Sequence, residues 1–173
     1  MTEPIAIFFG STTGNTAEVA EQIAELLPYE CDVYDLADTP ITTANNYSSI
    51  IFGISTWDFG ELQEDWDDQW ANVDDLALAG KTVALFGLGD QLGYGEWFVD
   101  AMGILHDKLA EQGARFIGQW PNEGYDFEAS KALTANQSHF VGLALDQDTQ
   151  RSETDERIEA WVQLIARSFE ESL

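Results

Sequence analysis

Short apolar runs alternate along this chain with stretches whose apolar residues recur three and four positions apart, joined by brief polar connections. Residues 5–10, Ile5-Ala6-Ile7-Phe8-Phe9-Gly10, predict a first strand. Val19, Ile23, Leu26 and Leu27 then share one helical face that stops near Pro28. Residues 31–35 predict a short second strand and residues 49–55 a third, apolar on both faces. Residues 63–70 predict a short helix anchored by Trp66 and Trp70, and residues 82–89 a fourth strand. Phe98, Met102, Leu105 and Leu109 mark the next helix, which ends near Gly113. A fifth strand starts over 115–120, the periodicity is lost over 121–138, and a strand pattern returns over 140–145. Ile158, Trp161, Val162, Ile165 and Phe169 form a closing amphipathic face, with Ser152 and Thr154 as candidate caps.

Near-continuous apolar strands between amphipathic helices predict an α/β fold, a doubly wound five-stranded parallel sheet with helices on both faces. Ligands of such sheets bind outside the carboxyl ends of the strands, where strand order reverses. The loops after strands one, three and four are therefore expected to converge. The 173 residues fit a single domain, 1–173, with no repeat or linker. The opening residues lack the basic segment and cleavage site of a signal peptide, and no apolar stretch approaches the ~20 residues of a membrane span. A cytoplasmic monomer is expected.

Charge narrows the partners. With 32 acidic and 7 basic residues, the net charge of −25 makes nucleic acid and anionic membranes poor partners and a basic protein a good one. Adaptation to salt would give the same composition. The single cysteine, Cys31, excludes an internal disulfide and a cysteine-held cluster, and reads as a buried structural thiol. His106 and His139 lack metal-ligand spacing, so no metal is expected.

The loop after the first strand, Ser11-Thr12-Thr13-Gly14-Asn15-Thr16, runs directly into a helical pattern. Free N–H groups and the positive end of the helix dipole suit a phosphate there. The loop holds no lysine or arginine, so hydroxyls and N–H groups alone would bind, which favours a monophosphate. A P-loop would place lysine where Asn15 stands. The competing reading is an ordinary turn, with Asn15 and Glu18 as a loose capping box. Trp57, after the third strand, and Tyr94, after the fourth, lie on glycine-containing loops. A flat ring between them would bury all three.

These loops together resemble the flavodoxins of the long-chain group. The phosphate loop of that family, S/T-x-T-G-x-T, is matched by residues 11–16. The first flavin loop is matched by Thr56-Trp57-Asp58-Phe59-Gly60-Glu61-Leu62, and the second by Gly89-Asp90-Gln91-Leu92-Gly93-Tyr94. Residues 121–138 fall where long-chain members carry an insertion that splits the fifth strand. The strand order 2-1-3-4-5 is inherited from this resemblance.

The resemblance implies one non-covalent FMN. Its phosphate would lie on Ser11, Thr12, Thr13, Gly14, Asn15 and Thr16, and its ring between Trp57 and Tyr94. Thr56, Gly89, Asp90 and Trp97 would complete the flavin loops. The Asp58-Phe59 peptide is expected to turn its carbonyl toward the flavin N5–H on reduction, with Gly60 relieving strain. No catalytic residue is implied. Carboxylates of Asp58, Glu61, Glu64, Asp65, Asp90 and Glu96 would each lower the second reduction step by roughly 17 mV at about 10 Å in a water-like dielectric. The implied role is a low-potential one-electron carrier, not an enzyme. Its donor would be a basic ferredoxin/flavodoxin-NADP reductase, docking on the acidic run 61–68. Its acceptors would be of the nitrogenase, photosystem I or radical-type reductive kind. The rival is an FMN-dependent NAD(P)H:quinone reductase-type enzyme, which would need an open flavin face and an acid–base pair. A phosphoacceptor domain lacks its acidic pair, and a dehydrogenase its G-x-G-x-x-G.

Overall fold

The computed structural model describes residues 3–171. Five strand positions make a parallel sheet. β1 (Ile5–Phe9) pairs with β2 (Cys31–Asp35) on one side and β3 (Ser49–Trp57) on the other. β3 carries a short antiparallel partner, β4 (Glu61–Leu62), and pairs in parallel with β5 (Thr82–Leu88). The order β2-β1-β3-β5, then the fifth position, is the expected 2-1-3-4-5.

The fifth position is shared. β6 (Arg115–Ile117) lies beside the first half of β5, and β9 (Leu143–Leu145) beside its second half, both parallel to it. Between them β7 (Trp120–Pro121) and β8 (His139–Phe140) form a separate antiparallel pair. The strand expected over 115–120 therefore stops early, at Gly118, whose φ of +82° turns the chain away. The strand expected over 140–145 is likewise divided. Gly142 passes so close to Leu85 that a Cβ would stand 2.2 Å from its carbonyl oxygen.

Alternation along the buried strands feeds two cores. Ala6, Phe8, Ile50, Phe52, Val83 and Leu85 face one side, packed by Leu105 and Leu109 of α4 (Asp100–Glu111). Ile5, Ile7, Ile51, Ala84 and Phe86 face the other. There they meet Val19 and Ile23 of α1 (Asn15–Leu26) and Ile158, Trp161 and Ile165 of α5 (Arg151–Glu171).

Several boundaries differ from expectation: β3 runs on to Trp57, which was expected on the loop after it, and α4 starts after Phe98. The helix over 63–70 is two short ones, α2 (Glu64–Asp68) and α3 (Trp70–Val73): Gln63 caps α2 by accepting from the N–H groups of Asp65 and Trp66, and Gln69, at φ −99° and ψ 6°, breaks the helix while its side chain bonds Ile41, Leu36 and Thr39. Trp66 is fully buried and donates to the Gly53 carbonyl at 2.9 Å. α5 starts at Arg151, so Ser152 and Thr154 lie in its first turn and do not cap it. The Thr154 hydroxyl instead donates to Gln147 at 2.6 Å. Cys31 is half-buried, not buried, and desolvation pushes its thiol up to about 11. His106 packs against the Phe116 ring at 4.2 Å.

Candidate functional site

Parallel strands put their carboxyl ends on one edge of the sheet. Phe9 lies beside Gly53, Ser55 beside Leu88, and Leu88 beside Leu145, so four loops leave from a common edge. They surround a cleft of about 360 Å³, within the usual range for a small-molecule site. Thr12, Thr13, Asn15 and Thr16 line one end. Thr56, Trp57, Asp58, Gly89, Asp90 and Tyr94 line the remainder of the predicted set.

At the end formed by residues 11–16, the start of α1 leaves backbone N–H groups free. Gly14, at φ +92°, is the residue before α1, and no side chain caps that helix. The capping-box reading of Asn15 and Glu18 is therefore not what forms. The first backbone acceptor is used by Glu18, which donates to the Gly14 carbonyl at 3.0 Å. The N–H groups of Asn15, Thr16 and Ala17 lie before that first bond and have no carbonyl of α1 to reach. Ser11 does not line the cleft; its hydroxyl accepts from the Gly14 N–H at 3.0 Å and shapes the turn. Gln63 donates to Thr12 Oγ1 at 3.1 Å, tying α2 to this loop.

The aromatic end is partly open. Trp57 is 37% and Tyr94 40% exposed, large surfaces for side chains of this size. Trp57 is steadied by its Nε1–H bond to Ser55 Oγ at 3.0 Å. Tyr94 is placed by an Asx turn: Asp90 Oδ1 accepts from Leu92 and Gly93, and the Tyr94 N–H donates to the Asp90 carbonyl at 3.0 Å. Thr56 Oγ1 accepts from the Ala101 N–H at 2.9 Å, joining the first loop to the start of α4.

The family model described as Flavodoxin matches residues 7–161. This chain belongs to the flavodoxin family. It is 50% identical to "Flavodoxin 2" of Salmonella typhi, covering 93% of this chain and 94% of that one. It is 42% identical to a Nostoc flavodoxin, covering 98% and 99%. Among solved structures, a variant Fusobacterium nucleatum flavodoxin bound to flavin mononucleotide superposes with a TM-score of 0.89 at 26% identity, covering 95% and 96%.

Besides Ser11 and Gly14, three residues expected in the flavodoxin site, Phe59, Gly60 and Trp97, stand back from the cleft. Phe59, 67% exposed, packs its ring edge-on to Trp97 at 5.0 Å and to Tyr94 at 6.4 Å. Trp97 lines the adjoining groove with Phe127 of the insertion. Gly60, at φ +88°, sits against Asp100 and Trp97, and Asp58 itself has a left-handed φ of 45°. That conformation is uncommon for a residue with a side chain, so the turn between Trp57 and Glu61 is strained at Asp58.

The cleft also has a wall that sequence reasoning passed over. Ser55, Leu88, Gln147 and Asp148 line it. The last two leave the carboxyl end of β9. Applying the strand-end rule to the returning half of the fifth strand would have found them. That loop turns on Asp146, fully buried, which accepts from the Asp148 and Thr149 N–H groups and from Gln91. The Asp148 carboxyl pKa is raised from its ordinary value by desolvation and then by Asp90 and Asp146, with Arg151 opposing. Among the described residues, no His, Cys, Asp and Glu cluster could hold a metal, and no helix is long and apolar enough to cross a membrane.

Proposed function

We propose that this chain carries single electrons on one non-covalently bound FMN held in the four-loop cleft. The carrier role and the cofactor follow from family membership and from neighbours bound to flavin mononucleotide. The residues fit the group. An uncapped helix N-terminus with three threonines and Asn15 suits a phosphate monoester, and two exposed aromatics in the same cleft suit a planar ring. The pairing of these two features in one cleft is the observation that carries the reading.

When bound, FMN supplies redox chemistry that can proceed one electron at a time. The protein binds, orients and shields it. Backbone N–H groups of Thr12, Thr13, Asn15 and Thr16 and the hydroxyls of Thr12, Thr13 and Thr16 would hold the phosphate, and Gly14, its own N–H held by Ser11 Oγ, gives the turn its left-handed step. Trp57 and Tyr94 cover the ring faces and exclude water. Asp90 and the Gly89 backbone meet the polar edge of the ring. The strained Asp58 turn presents the Asp58-Phe59 peptide to the flavin, Gly60 letting it reorient. Ser11, Phe59 and Trp97 support these groups from behind.

The chain acts as one domain, residues 1–173, with 121–138 inserted in the fifth strand position. It works in the cytoplasm as a monomer. It takes electrons from a basic ferredoxin/flavodoxin-NADP reductase and passes them to acceptors such as nitrogenase, photosystem I or radical-type reductive enzymes. The exposed carboxylates of Glu61, Glu64, Asp67 and Asp68 in the acidic segment 61–68 support a basic donor.

Anaerobic spectroelectrochemical titration of the FMN-loaded protein tests the core of this reading. Two separate one-electron waves are expected. A single two-electron wave with steady NAD(P)H turnover would move the assignment to a quinone reductase-type enzyme, and failure to take up FMN would overturn it.

A further inference from the structure

Arg151 opens α5, far in sequence from the phosphate loop, yet its Nη2 donates to Asn15 Oδ1 at 3.2 Å. Asn15 and Asp148 both line the cleft, and Arg151 acts on Asp148 electrostatically. The guanidinium thus stands at the seam between the loop after β1 and the loop after β9. It is the only one of the 7 Lys and Arg side chains that hydrogen-bonds a cleft-lining residue among the described residues. Lys108 pairs with Asp74, Lys81 donates to the Asn45 carbonyl, and Arg157 lies over the Tyr125 ring and bonds Gln150. Arg151 makes no other side-chain hydrogen bond among the described residues, so most of its five donors remain available.

A phosphate monoester brings a charge of about −1.5 to −2 at neutral pH. Here it must enter a molecule of net charge −25 through a loop that contains no cation. We propose that Arg151 is a phosphate-selecting residue, which holds Asn15 and supplies the positive charge that makes the site prefer FMN to riboflavin. The inference rests on the FMN reading. It adds to that reading a residue that the loop motif does not contain. Riboflavin has the same ring and ribityl chain without the phosphate, so it draws on the aromatic walls but not on this charge. Arginine suits the task because its planar fork can hold the Asn15 oxygen and still offer donors to an anion.

The test compares FMN and riboflavin binding, by quenching of flavin fluorescence, to apoprotein of the wild type, Arg151→Gln and Arg151→Lys at low ionic strength. Arg151 is exposed, so both variants should fold. The FMN dissociation constant should rise about threefold to tenfold in Arg151→Gln, the range of a partly solvated charge contact. Riboflavin binding should stay within about twofold, and Arg151→Lys, which keeps the charge but not the planar fork, should recover only part of the FMN affinity. FMN binding unchanged in Arg151→Gln overturns the proposal. So does an equal loss for both flavins, which would mean that Arg151 merely orders the loop. Wild-type protein that takes up neither flavin overturns the FMN reading itself, and that result is distinct from either of the others.

Discussion

Asp148 stands on the wall of the cleft proposed to hold FMN, and its own charge opposes an anion there. One carboxylate at about 10 Å in a water-like dielectric shifts a one-electron potential by roughly 17 mV, and less after screening. Asp148→Asn should therefore raise the more negative potential of the FMN-loaded protein by roughly 10 mV. Burial and the neighbouring Asp90 and Asp146 raise the pKa of this carboxyl. It takes up its proton at a higher pH than an ordinary carboxylate, so its charge is lost earlier as the pH falls. The wild type should then differ from the variant at neutral and higher pH and converge on it as the pH is lowered. Identical potentials at neutral and higher pH would show Asp148 too well solvated to matter. In the sequence this cleft residue was marked only by its place after the returning strand, whereas Thr12, Asn15, Trp57 and Tyr94, which also line the cleft, were marked by motifs. The latter stand on loops with recognisable glycine and hydroxyl patterns. Asp148 lies in a polar stretch, Asp146-Gln147-Asp148-Thr149, that matches no motif, and its position depends on a strand pairing with β5.

At the scale of elements, the two flavin loops are held by parts of the chain distant from them. Gln91, 4% exposed, donates through Nε2 to Asp146 Oδ2 at 3.0 Å, and its Oε1 accepts from the Asp126 N–H. One side chain so joins the second loop, the end of β9 and the insertion. Glu128 and Ala129 both donate to the Gly95 carbonyl, and the Lys131 N–H donates to Asp100 at 2.8 Å. The insertion thereby braces the loop that carries Tyr94. Gln91→Leu would leave a buried carboxylate oxygen with one donor fewer and the Asp126 N–H without its acceptor. A loss of about 1–3 kcal/mol in urea unfolding of the apoprotein is expected, together with weaker FMN binding. An unchanged unfolding midpoint would show that the insertion is not anchored through this side chain. The strands and long helices were legible because their apolar period is strong, as at Val19, Ile23 and Leu27 or Leu105 and Leu109. The break in the fifth strand was legible only as lost periodicity over 121–138. How that segment folds back, through hairpin β7–β8 and the Tyr125, Phe127 and Phe140 rings against Phe98, depends on contacts no local pattern encodes.

For the whole molecule the charge of −25 has two explanations that predict different things. Adaptation to salt requires only that screening relieve self-repulsion, so the apoprotein melts at a higher temperature as salt rises, whatever its partners. Docking of a basic reductase requires the charge to be concentrated where electrons leave. Glu61, Glu64, Asp67 and Asp68 are exposed on β4 and α2, and β4 pairs directly with the Trp57 end of β3. Exposed apolar side chains, Phe59 and Leu92, lie on the two flavin loops themselves. An apolar centre beside an acidic flank is the layout expected of a surface that steers a basic partner over long range and then seats it. The Debye length falls from about 30 Å at 0.01 M to about 8 Å at physiological ionic strength, so steering weakens over this interval while direct apolar contact does not. The bimolecular rate of electron transfer from a basic reductase should accordingly fall about tenfold between ~0.01 M and ~0.5 M salt in stopped-flow measurements. Glu64→Gln with Asp67→Asn should flatten that dependence without changing FMN affinity, since neither residue lines the cleft. A rate independent of salt in the wild type would separate the charge from partner recognition and leave salt adaptation as its explanation.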